Sequence, residues 1–424
     1  MKILHLSTYT FMKNQSYPHY RLHKNLLASG YESYILSLHG DVSDDNIIYL
    51  SKNRILPYYD LSRTMRKVYF EIFMKNHSNY YYPEWNLDFV TIKQIDKILP
   101  FEPELIVAHW TKFAFNSKLQ YELSKKYNAP IVSYMMDMAP ITGGCHYAYD
   151  CKRYELGCGL CPAINSKKQK DISWKTFKQK EHYISKTDVS LIYASEEQKK
   201  QVEKSEMWKQ KNKFEMMLSV DENTYIPKNI CDAKNALGIQ NNKKVVFFGA
   251  ASISEKRKGL AYLIEALNDL YNNNQHLRNN VLILIAGRNL PDIRIPFEYR
   301  YLGYLSTDRE LANAYQASDV FVCPSVEDSG PLMINQAIMS GRPVVSFDMG
   351  VAPDLVHTGE TGYRAILKDS YDISRGLKYV LELNNEEWSK MSSNARELGI
   401  EKCSMKNQVE RFKKIIDSVK KNSN

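Results

Sequence analysis

Short apolar runs rich in β-branched residues alternate with amphipathic stretches along almost the whole chain. In the first half these runs are Lys2–Ser7, Ser33–Leu38, Leu105–His109, Pro130–Met135 and Val189–Ala194. In the second half they are Lys244–Gly249, Val281–Ala286, Tyr299–Gly303, Asp319–Pro324 and Pro343–Phe347. Strands that alternate with helices form parallel sheets covered on both faces. Two sets of strands therefore predict an α/β protein of two Rossmann-like, doubly wound domains that face each other across a cleft.

The length of 424 residues also favours two domains. We predict the hinge at about 218–222, after a polar, lysine-rich helix at Glu196–Lys213 and before a fresh helix start near Asp232. The first domain then covers residues 1–218 and the second 219–404. The amphipathic, basic tail at about 405–424 is predicted to be a helix that packs back onto the first domain.

Composition and charge exclude several classes of protein. No apolar run reaches the 18 residues of a membrane span, and Met1–Ser7 resembles an opening strand more than a signal peptide, so a cytoplasmic location is expected. The net charge of +9 suits nucleic acid, an anionic membrane or an anionic small substrate. No dense basic run, zinc-finger pattern or RNP pattern occurs, so we expect no nucleic-acid partner.

Ligands of open α/β sheets bind beyond the carboxyl ends of the strands, so the loops there are informative. The loop Gly249–Gly259 follows the first strand of the second half and contains Arg257 and Lys258. Its small residues let the backbone approach a ligand, and a helix start favours an anion. We interpret this loop as a diphosphate site; a solvated basic loop is the alternative.

A second loop places two carboxylates, Glu327 and Asp328, between a strand end and a helix start. Backbone amides from Ser329 onward can hold phosphate oxygens, while a carboxylate accepts hydrogen bonds from hydroxyl groups. The candidate binding residues here are Ser329, Gly330, Pro331, Leu332 and Gln336. The alternative is an ordinary acidic helix N-terminus.

Two further features lie in the first half. His109 ends the strand Leu105–His109, which suits the cleft, although a lone histidine is more often structural. Four cysteines crowd into 17 residues, at Cys145, Cys151, Cys158 and Cys161. In a reducing compartment this spacing indicates a structural metal site, zinc in preference to an iron–sulfur cluster, with four free thiols as the alternative.

These residues resemble retaining glycosyltransferases of the GT-B fold, specifically family four. The resemblance covers nearly the whole chain and is strongest at 245–363. The residues that carry it are Gly249, Lys258-Gly259, Ala286-Gly287, Leu302-Gly303, Ser318-Asp319-Val320, Pro324-Ser325, Glu327, Gly341-x-Pro343-Val344-Val345 and Gly359-x-Thr361-Gly362. The stretch Thr142–Tyr147 with its cysteines looks like a subgroup of bacterial capsule and O-antigen enzymes.

The resemblance implies a role for several residues. Lys258 matches the lysine that binds the donor diphosphate, and Glu327 matches the first acid of a two-glutamate motif near the donor sugar. His109 matches a histidine close to the transferred sugar, and Asp137 is expected to hold the acceptor. The implied donor is a UDP- or GDP-sugar, and the implied acceptor is a saccharide or lipid-linked saccharide.

Two positions depart from the family pattern. Ala250 stands where the family usually has Arg, so Arg257 can substitute for it, and Gln336 stands where the second glutamate is usual. Counting back eight residues from Gln336 reaches Asp328, which makes Asp328 the other candidate for the first acid. These changes motivate the alternative of a non-catalytic sugar-nucleotide binding or regulatory protein on the same fold. An epimerase or phosphorylase is a third interpretation.

The resemblance implies retention of anomeric configuration, with the departing phosphate accepting the acceptor's proton. The chain has no Asp-x-Asp triplet, so we expect no catalytic metal. Residues 52–85 mix basic and aromatic side chains, and Leu61–Met74 has a helical apolar period with Arg63, Arg66 and Lys67 elsewhere around the turn. This predicts peripheral docking on an anionic membrane, for which the inner face of the plasma membrane is the candidate; an ordinary domain helix is the alternative.

Overall fold

The computed structural model describes residues 1–10, 17–51, 64, 68, 80–82 and 90–423. These residues form two all-parallel sheets. The first has the order β3-β2-β1-β4-β5-β6-β7. Its strands are β1 (Lys2–Thr10), β2 (Glu32–Gly40), β3 (Ile47–Tyr49), β4 (Leu105–Ala108), β5 (Ile131–Tyr134), β6 (Val189–Tyr193) and β7 (Lys213–Glu215).

The second sheet has the order β10-β9-β8-β11-β12-β13. Its strands are β8 (Lys244–Ser252), β9 (Val281–Arg288), β10 (Glu298–Tyr301), β11 (Val320–Cys323), β12 (Val344–Phe347) and β13 (Gly362–Ala365). Two parallel sheets, each with its own buried core, confirm the prediction of two Rossmann-like domains.

Helices cover the two sheets. In the first domain they are α1 (Pro18–Ala28), α2 (Ile92–Asp96), α3 (Ser117–Tyr127), α4 (Ile172–Lys186) and α5 (Glu196–Lys204). In the second they are α6 (Ile230–Ala236), α7 (Leu260–Asn273), α8 (Asp308–Gln316), α9 (Leu332–Met339), α10 (Ala352–Leu355), α11 (Ser370–Leu381) and α12 (Asn385–Cys403), and α13 (Met405–Ser423) ends the chain.

The central strands are continuous apolar runs because helices cover both faces of each parallel sheet. In β9, Val281–Ile285 is fully buried, with alternate side chains in the two cores on either side of the second sheet. The structure corrects one predicted helix: α5 ends at Lys204, and Lys213, which was placed in that helix, begins the edge strand β7. The strands β3, β7 and β13 were not predicted.

The chain passes between the domains at two adjacent points. Val220 lies where the chain leaves the first domain, and Cys403 lies near the point where it returns. The Val220 amide donates a hydrogen bond to the carbonyl of Cys403 at 2.8 Å. Helix α13 then packs on α1, and the buried residues Phe412 and Ile416 share a core with Leu22. The carboxyl ends of the strands in both sheets lead into the cleft residues described below.

No helix among the described residues is long and apolar enough to cross a membrane. Of the basic, aromatic segment 52–85, the structure describes only Thr64, Val68 and Tyr80–Tyr82. Arg63, Arg66 and Lys67 and most of the helix predicted at Leu61–Met74 therefore lie outside the described residues, and this helix remains a prediction.

Candidate active site between the domains

A cavity of about 230 Å³ lies at the carboxyl edge of the second sheet. The ends of β8 and β9 contribute Ala250, Ala251, Ala286 and Gly287 to its wall, and their small size keeps the space open. Helix α9 contributes Gln336, whose Nε2 donates to the Tyr225 hydroxyl at 2.8 Å. The cavity is at the edge of the sheet where parallel α/β folds bind ligands.

Arg257 and Lys258 both contact one buried carboxylate beside this region. The Oδ2 atom of Asp328 lies 2.7 Å from Arg257 Nη1 and 2.5 Å from Lys258 Nζ. Burial opposes the ionisation of Asp328, but the two cations outweigh it and hold its pKa below the ordinary value. Arg257 is also fixed by Glu255 at 2.9 Å and by the Tyr147 ring, whose centroid is 4.5 Å from its guanidinium carbon.

Gly259 explains why the basic loop lies so close to the acidic one. Its φ is +77°, and a β-carbon there would come within 1.7 Å of the carbonyl oxygen of Pro324.

The predicted start of the basic loop at Gly249 is wrong, because β8 continues to Ser252 through an irregularity in its pairing with β9. Gly249 is therefore inside the strand, where a β-carbon would approach Met333 of α9, and does not begin the loop as predicted.

The acidic loop ends at the start of α9. Pro331 occupies the N-cap position and supplies no side-chain cap, and Gly330 has a φ of +155° that favours glycine. Ser329 is buried, and its hydroxyl has no hydrogen-bond partner among the described residues. The first amides of a helix lack intrahelical partners, so this start, with Leu332 at its first position, can accept phosphate oxygens.

Glu327 points to the other domain, unlike its neighbour Asp328. Its Oε1 accepts a hydrogen bond from the amide of Tyr149 at 3.3 Å. Burial raises the pKa of Glu327 to about 7, and the carboxylates of Glu197 and Asp328 add to the effect. The two adjacent acids therefore differ: Asp328 holds the cations, and Glu327 is a carboxyl group at the domain junction that titrates near neutrality.

A larger cavity of about 540 Å³ lies between the domains. Six aromatic side chains line it: Tyr9, Tyr17, Tyr80, Tyr82, Trp110 and Tyr147. Arg257 closes it from the second domain. An aromatic wall with a few polar groups is typical of sites for small organic ligands.

Asp137 lies on the floor of this interdomain cavity with His146. Their side chains are joined at 2.5 Å between Oδ2 and Nδ1, and Trp110 Nε1 donates to the same oxygen at 2.8 Å. Burial opposes ionisation of Asp137, but His146 and these hydrogen bonds lower its pKa. The sequence assigned Asp137 to the acceptor, but it did not indicate that His146 would pair with it.

Lys112 is a second cleft residue that the sequence did not reveal. Its ammonium lies 3.7 Å from the ring centroid of Trp110 and 3.8 Å from that of Tyr82. Burial lowers its pKa to about 8, an effect that Asp137 partly opposes. Its place three residues after His109, in the loop after β4, is the only signal that could have identified it.

His109 lines a second cavity of about 80 Å³, whose wall also includes Trp110, Lys112 and Asp137. Its Nε2 is 2.9 Å from Nδ1 of His5, its ring is 5% exposed, and its Nδ1 has no hydrogen-bond partner among the described residues. It belongs to a buried group that continues from His5 through Ser33 to His23. Its role near a transferred sugar stays a prediction.

The four clustered cysteines line one small cavity of about 20 Å³, the space of about one water-sized sphere. Cys145, Cys151, Cys158 and Cys161 all contribute to the wall of this cavity. Gly143 donates its amide to Cys158 Sγ at 3.2 Å. Among the described residues, no group of three or more His, Cys, Asp or Glu side chains is arranged to hold a metal ion. Zinc at this cluster stays a prediction.

Residues 242–382, which contain the smaller cavity, the basic loop and the acidic loop, match the family "Glycosyl transferases group 1". The likeness to this family is therefore confined to the second domain. A D-inositol 3-phosphate glycosyltransferase of Corynebacterium efficiens is 30% identical over 152 residues, which cover 33% of this chain and 34% of that protein. The chain spans about a third of the length of the curated relatives it matches.

Solved structures resemble the whole chain. A sucrose-phosphate synthase from Thermosynechococcus elongatus superposes with a TM-score of 0.67 at 12% identity, covering 99% of both chains. Anabaena HepE, in complex with UDP and glucose, has a TM-score of 0.62 at 14% identity and covers 99% of this chain and 100% of that one. At these identities the likeness establishes the two-domain GT-B fold.

Proposed function

We propose that this protein is a glycosyltransferase that moves a sugar from a nucleotide-sugar donor to an acceptor held between the domains. The observation that carries the proposal is the position of Lys258 and Arg257, whose charges meet at Asp328 directly before the uncapped start of α9. Two fixed cations and free helix amides are the groups that a leaving diphosphate requires.

In this proposal the nucleoside occupies the 230 Å³ cavity, with Gln336 as a neutral hydrogen-bonding group at its wall. The diphosphate then lies against Lys258, Arg257 and the amides from Ser329 to Leu332. Breaking the sugar–phosphate bond places negative charge on the diphosphate, which preorganised cations stabilise without reorganisation. The bound diphosphate would have to displace Asp328 from these cations.

The acceptor occupies the aromatic interdomain cavity, near Asp137 and Lys112. Glu327, which accepts a hydrogen bond from the Tyr149 amide of the first domain, is the candidate for contact with the donor sugar. We further propose retention of configuration, no catalytic metal, and an acceptor that is a saccharide or lipid-linked saccharide of bacterial surface polysaccharide synthesis. The family resemblance supports these finer points.

The charge distribution supports peripheral docking of the first domain on an anionic membrane from the cytoplasm. Basic residues outnumber acidic ones in residues 1–218 and 405–424, whereas acidic residues outnumber basic ones in 219–404. The terminal helix α13 presents exposed Lys413, Lys414 and Lys420 on the first-domain side of the molecule. A lipid-linked acceptor would be reached from such a surface.

The proposal is tested with a panel of UDP- and GDP-sugars. Thermal unfolding of the purified protein with each compound should show a rise in melting temperature for one nucleotide class, because a ligand that binds only the folded state stabilises it. The same donor, labelled in its sugar, should then lose that sugar to a cell-envelope extract. Binding without sugar release would favour a non-catalytic sugar-nucleotide binding protein.

A further inference from the structure

Lys112 brings an ammonium group to the walls of two cavities. Its half-buried side chain lines both the 540 Å³ interdomain cavity and the 80 Å³ cavity, which share Trp110, Asp137 and His146 as wall residues. The ammonium has no hydrogen-bond acceptor and no ion-pair partner among the described residues. An ammonium carries three N–H donors, so this group is available to a ligand of either cavity.

Aromatic rings hold the Lys112 ammonium in place. It lies 3.7 Å from the ring centroid of Trp110, 3.8 Å from that of Tyr82 and 5.1 Å from that of Phe113. The backbone is fixed as well, because Thr8 of β1 donates its amide to the Trp110 carbonyl at 2.8 Å and its hydroxyl to the Lys112 carbonyl. A free lysine loses rotamer freedom when it binds a ligand, whereas the rings already restrict this one.

Asp137 is the one acidic residue among the described lining residues of the two cavities, and other groups occupy both of its oxygens. Its Oδ1 accepts a hydrogen bond from the Ala139 amide at 2.8 Å. Its Oδ2 lies 2.8 Å from Trp110 Nε1 and 2.5 Å from His146 Nδ1. The charge of Asp137 opposes the lowering of the Lys112 pKa by burial, but the two side chains form no ion pair. The donors of Lys112 therefore stay open.

The other lysine and arginine side chains in these walls have polar partners. Arg257, in the wall of the larger cavity, contacts two carboxylates of its own domain. Lys180, buried in the wall of the smaller cavity, donates to the carbonyl oxygens of Ala139 at 2.7 Å and Thr142 at 3.1 Å. Lys180 adds positive charge to the same region without offering an open site. Among the described residues of these walls, Lys112 is thus the cation that a ligand can pair with.

A negatively charged group of a ligand would complete this arrangement. A half-buried ammonium has lost part of its hydration, and aromatic faces replace only part of that interaction. A carboxylate or phosphate oxygen would accept a charge-assisted hydrogen bond from it, which is roughly twice as strong as a bond between neutral groups. The geometry around Lys112 therefore favours an anionic ligand over a neutral one.

We propose that Lys112 is a specificity-determining residue that binds an oxyanion of the acceptor, so that the acceptor is an acidic saccharide. The oxyanion is the carboxylate of a uronic acid or a phosphate ester on the sugar. This inference rests on the proposed function, which places the acceptor in the interdomain cavity.

The test measures dissociation constants by calorimetry for the full-length protein and for Lys112→Met. The probes are the methyl glycosides, methyl uronides and anomeric phosphates of glucose, galactose and mannose, which carry no charge, a carboxylate and a phosphate. The unaltered protein should bind one anionic class more tightly than the matching neutral glycoside, and that class identifies the oxyanion. Lys112→Met should weaken this binding about tenfold, the loss expected for one charge-assisted hydrogen bond. Binding of the neutral glycoside should change by less than about twofold.

Lys125→Met is the matched control, because Lys125 is an exposed lysine of the same domain whose ammonium lies 6.0 Å from the Tyr121 ring, away from both cavities. It should bind every probe like the unaltered protein. Lys112→Arg keeps the charge and should retain most of the affinity for the anionic probe, which guards against a folding defect in Lys112→Met. Lys258→Ala should also retain it, because Lys258 is assigned to the donor diphosphate.

The inference is overturned if the anionic probes bind the unaltered protein no more tightly than the neutral ones, or if Lys112→Met binds them equally well. Equal loss of neutral and anionic probes in Lys112→Met would overturn it too, and so would loss in Lys258→Ala alone, which would place the anion at the donor site. If acidic sugars bind through Lys112 but no UDP- or GDP-sugar binds, the proposed function fails and the site for an acidic saccharide stands. If a nucleotide sugar is bound and turned over while Lys112→Met binds acidic sugars normally, only the inference fails.

Discussion

The Asp328 carboxylate lies 2.7 Å from the guanidinium of Arg257, and it also accepts a hydrogen bond from the ammonium of Lys258. One buried acid thus pairs with both of the cations that we assign to the donor diphosphate. In the ligand-free protein this ion pairing offsets part of the cost of desolvating the two cations. A diphosphate must then compete with an internal carboxylate, and several expectations follow from that competition.

Replacing Asp328 with Asn should separate stability from binding. Without the carboxylate, Lys258 and Arg257 lose the partner that they share, although Arg257 keeps its ion pair with Glu255. The ligand-free protein should therefore lose about 3–5 kcal/mol of stability, as when one side of a buried ion pair is removed. UDP or GDP should bind more tightly, because no acid competes for the cations, and should restore much of the melting temperature. Calorimetry and thermal unfolding measure both effects, and weaker diphosphate binding would refute the competition.

Glu327→Gln should change the pH dependence of stability. Folding raises the pKa of Glu327 from its ordinary 4.5 to about 7, so between these values the folded state binds more protons than the unfolded one. Stability from this group therefore falls as pH rises through that window. Gln keeps an oxygen for the amide of Tyr149, so the variant should be more stable than the parent at pH 8 by about 1–3 kcal/mol, after allowance for solvent screening.

The same comparison supplies its own control, because the advantage of Glu327→Gln should become small near pH 4.5, where the parent carboxyl is protonated in the folded state and half protonated in the unfolded state. Chemical denaturation at pH 4.5, 6 and 8 provides the three values. A stability difference that is constant across these pH values would show that folding does not raise the pKa of Glu327.

Long elements that are buried on both faces could be predicted from the sequence, whereas short and exposed elements could not. The five-residue apolar core of β9, Val281–Ile285, was recognisable because it is buried on both faces. Of the edge strands, β10 was predicted, but β3, β7 and β13 were not. Strand β7 is Lys213–Glu215, a polar segment whose pairing with β6 decides its structure. The lysine-rich pattern before it therefore looked like a continuation of α5.

The candidate site divides in the same way. Lys258, Glu327 and Asp328 could be found because each follows a strand of the second domain and lies within one stretch of sequence. Lys112 could not, since its significance depends on residues farther along the chain, such as Asp137. Which of the two adjacent acids would meet the cations also needed the structure.

The four cysteines give a prediction that is independent of the catalytic site. If they hold zinc, replacing Cys158 and Cys161 with Ser should release one metal equivalent and destabilise the first domain, because binding energy at a structural site is also folding energy. Elemental analysis of protein purified without chelator measures the metal, and Cys231→Ser, at an exposed site, is the control. Finding neither zinc nor iron in the parent protein would rule the metal out.

Membrane docking is tested by co-sedimentation with anionic vesicles. Changing Arg63, Arg66 and Lys67 to Glu should reduce sedimentation at low salt, because each basic residue near an anionic surface contributes about 1 kcal/mol. Transfer to a soluble acceptor analogue should stay unchanged. Equal sedimentation of the two proteins, or no sedimentation of either, would exclude this segment as the attachment.

The most direct test of the central claim is sugar transfer by the unaltered protein and by Lys258→Ala, measured side by side with labelled UDP- and GDP-sugars. The unaltered protein should release sugar from one donor class. Lys258→Ala should fold normally and be slower by about 3 kcal/mol, or roughly a hundredfold, because a preorganised cation is lost from the leaving diphosphate. Lys256→Ala, at an exposed position of the same loop, should behave like the parent. Undiminished turnover by Lys258→Ala, or no donor turned over by the unaltered protein, would contradict the account.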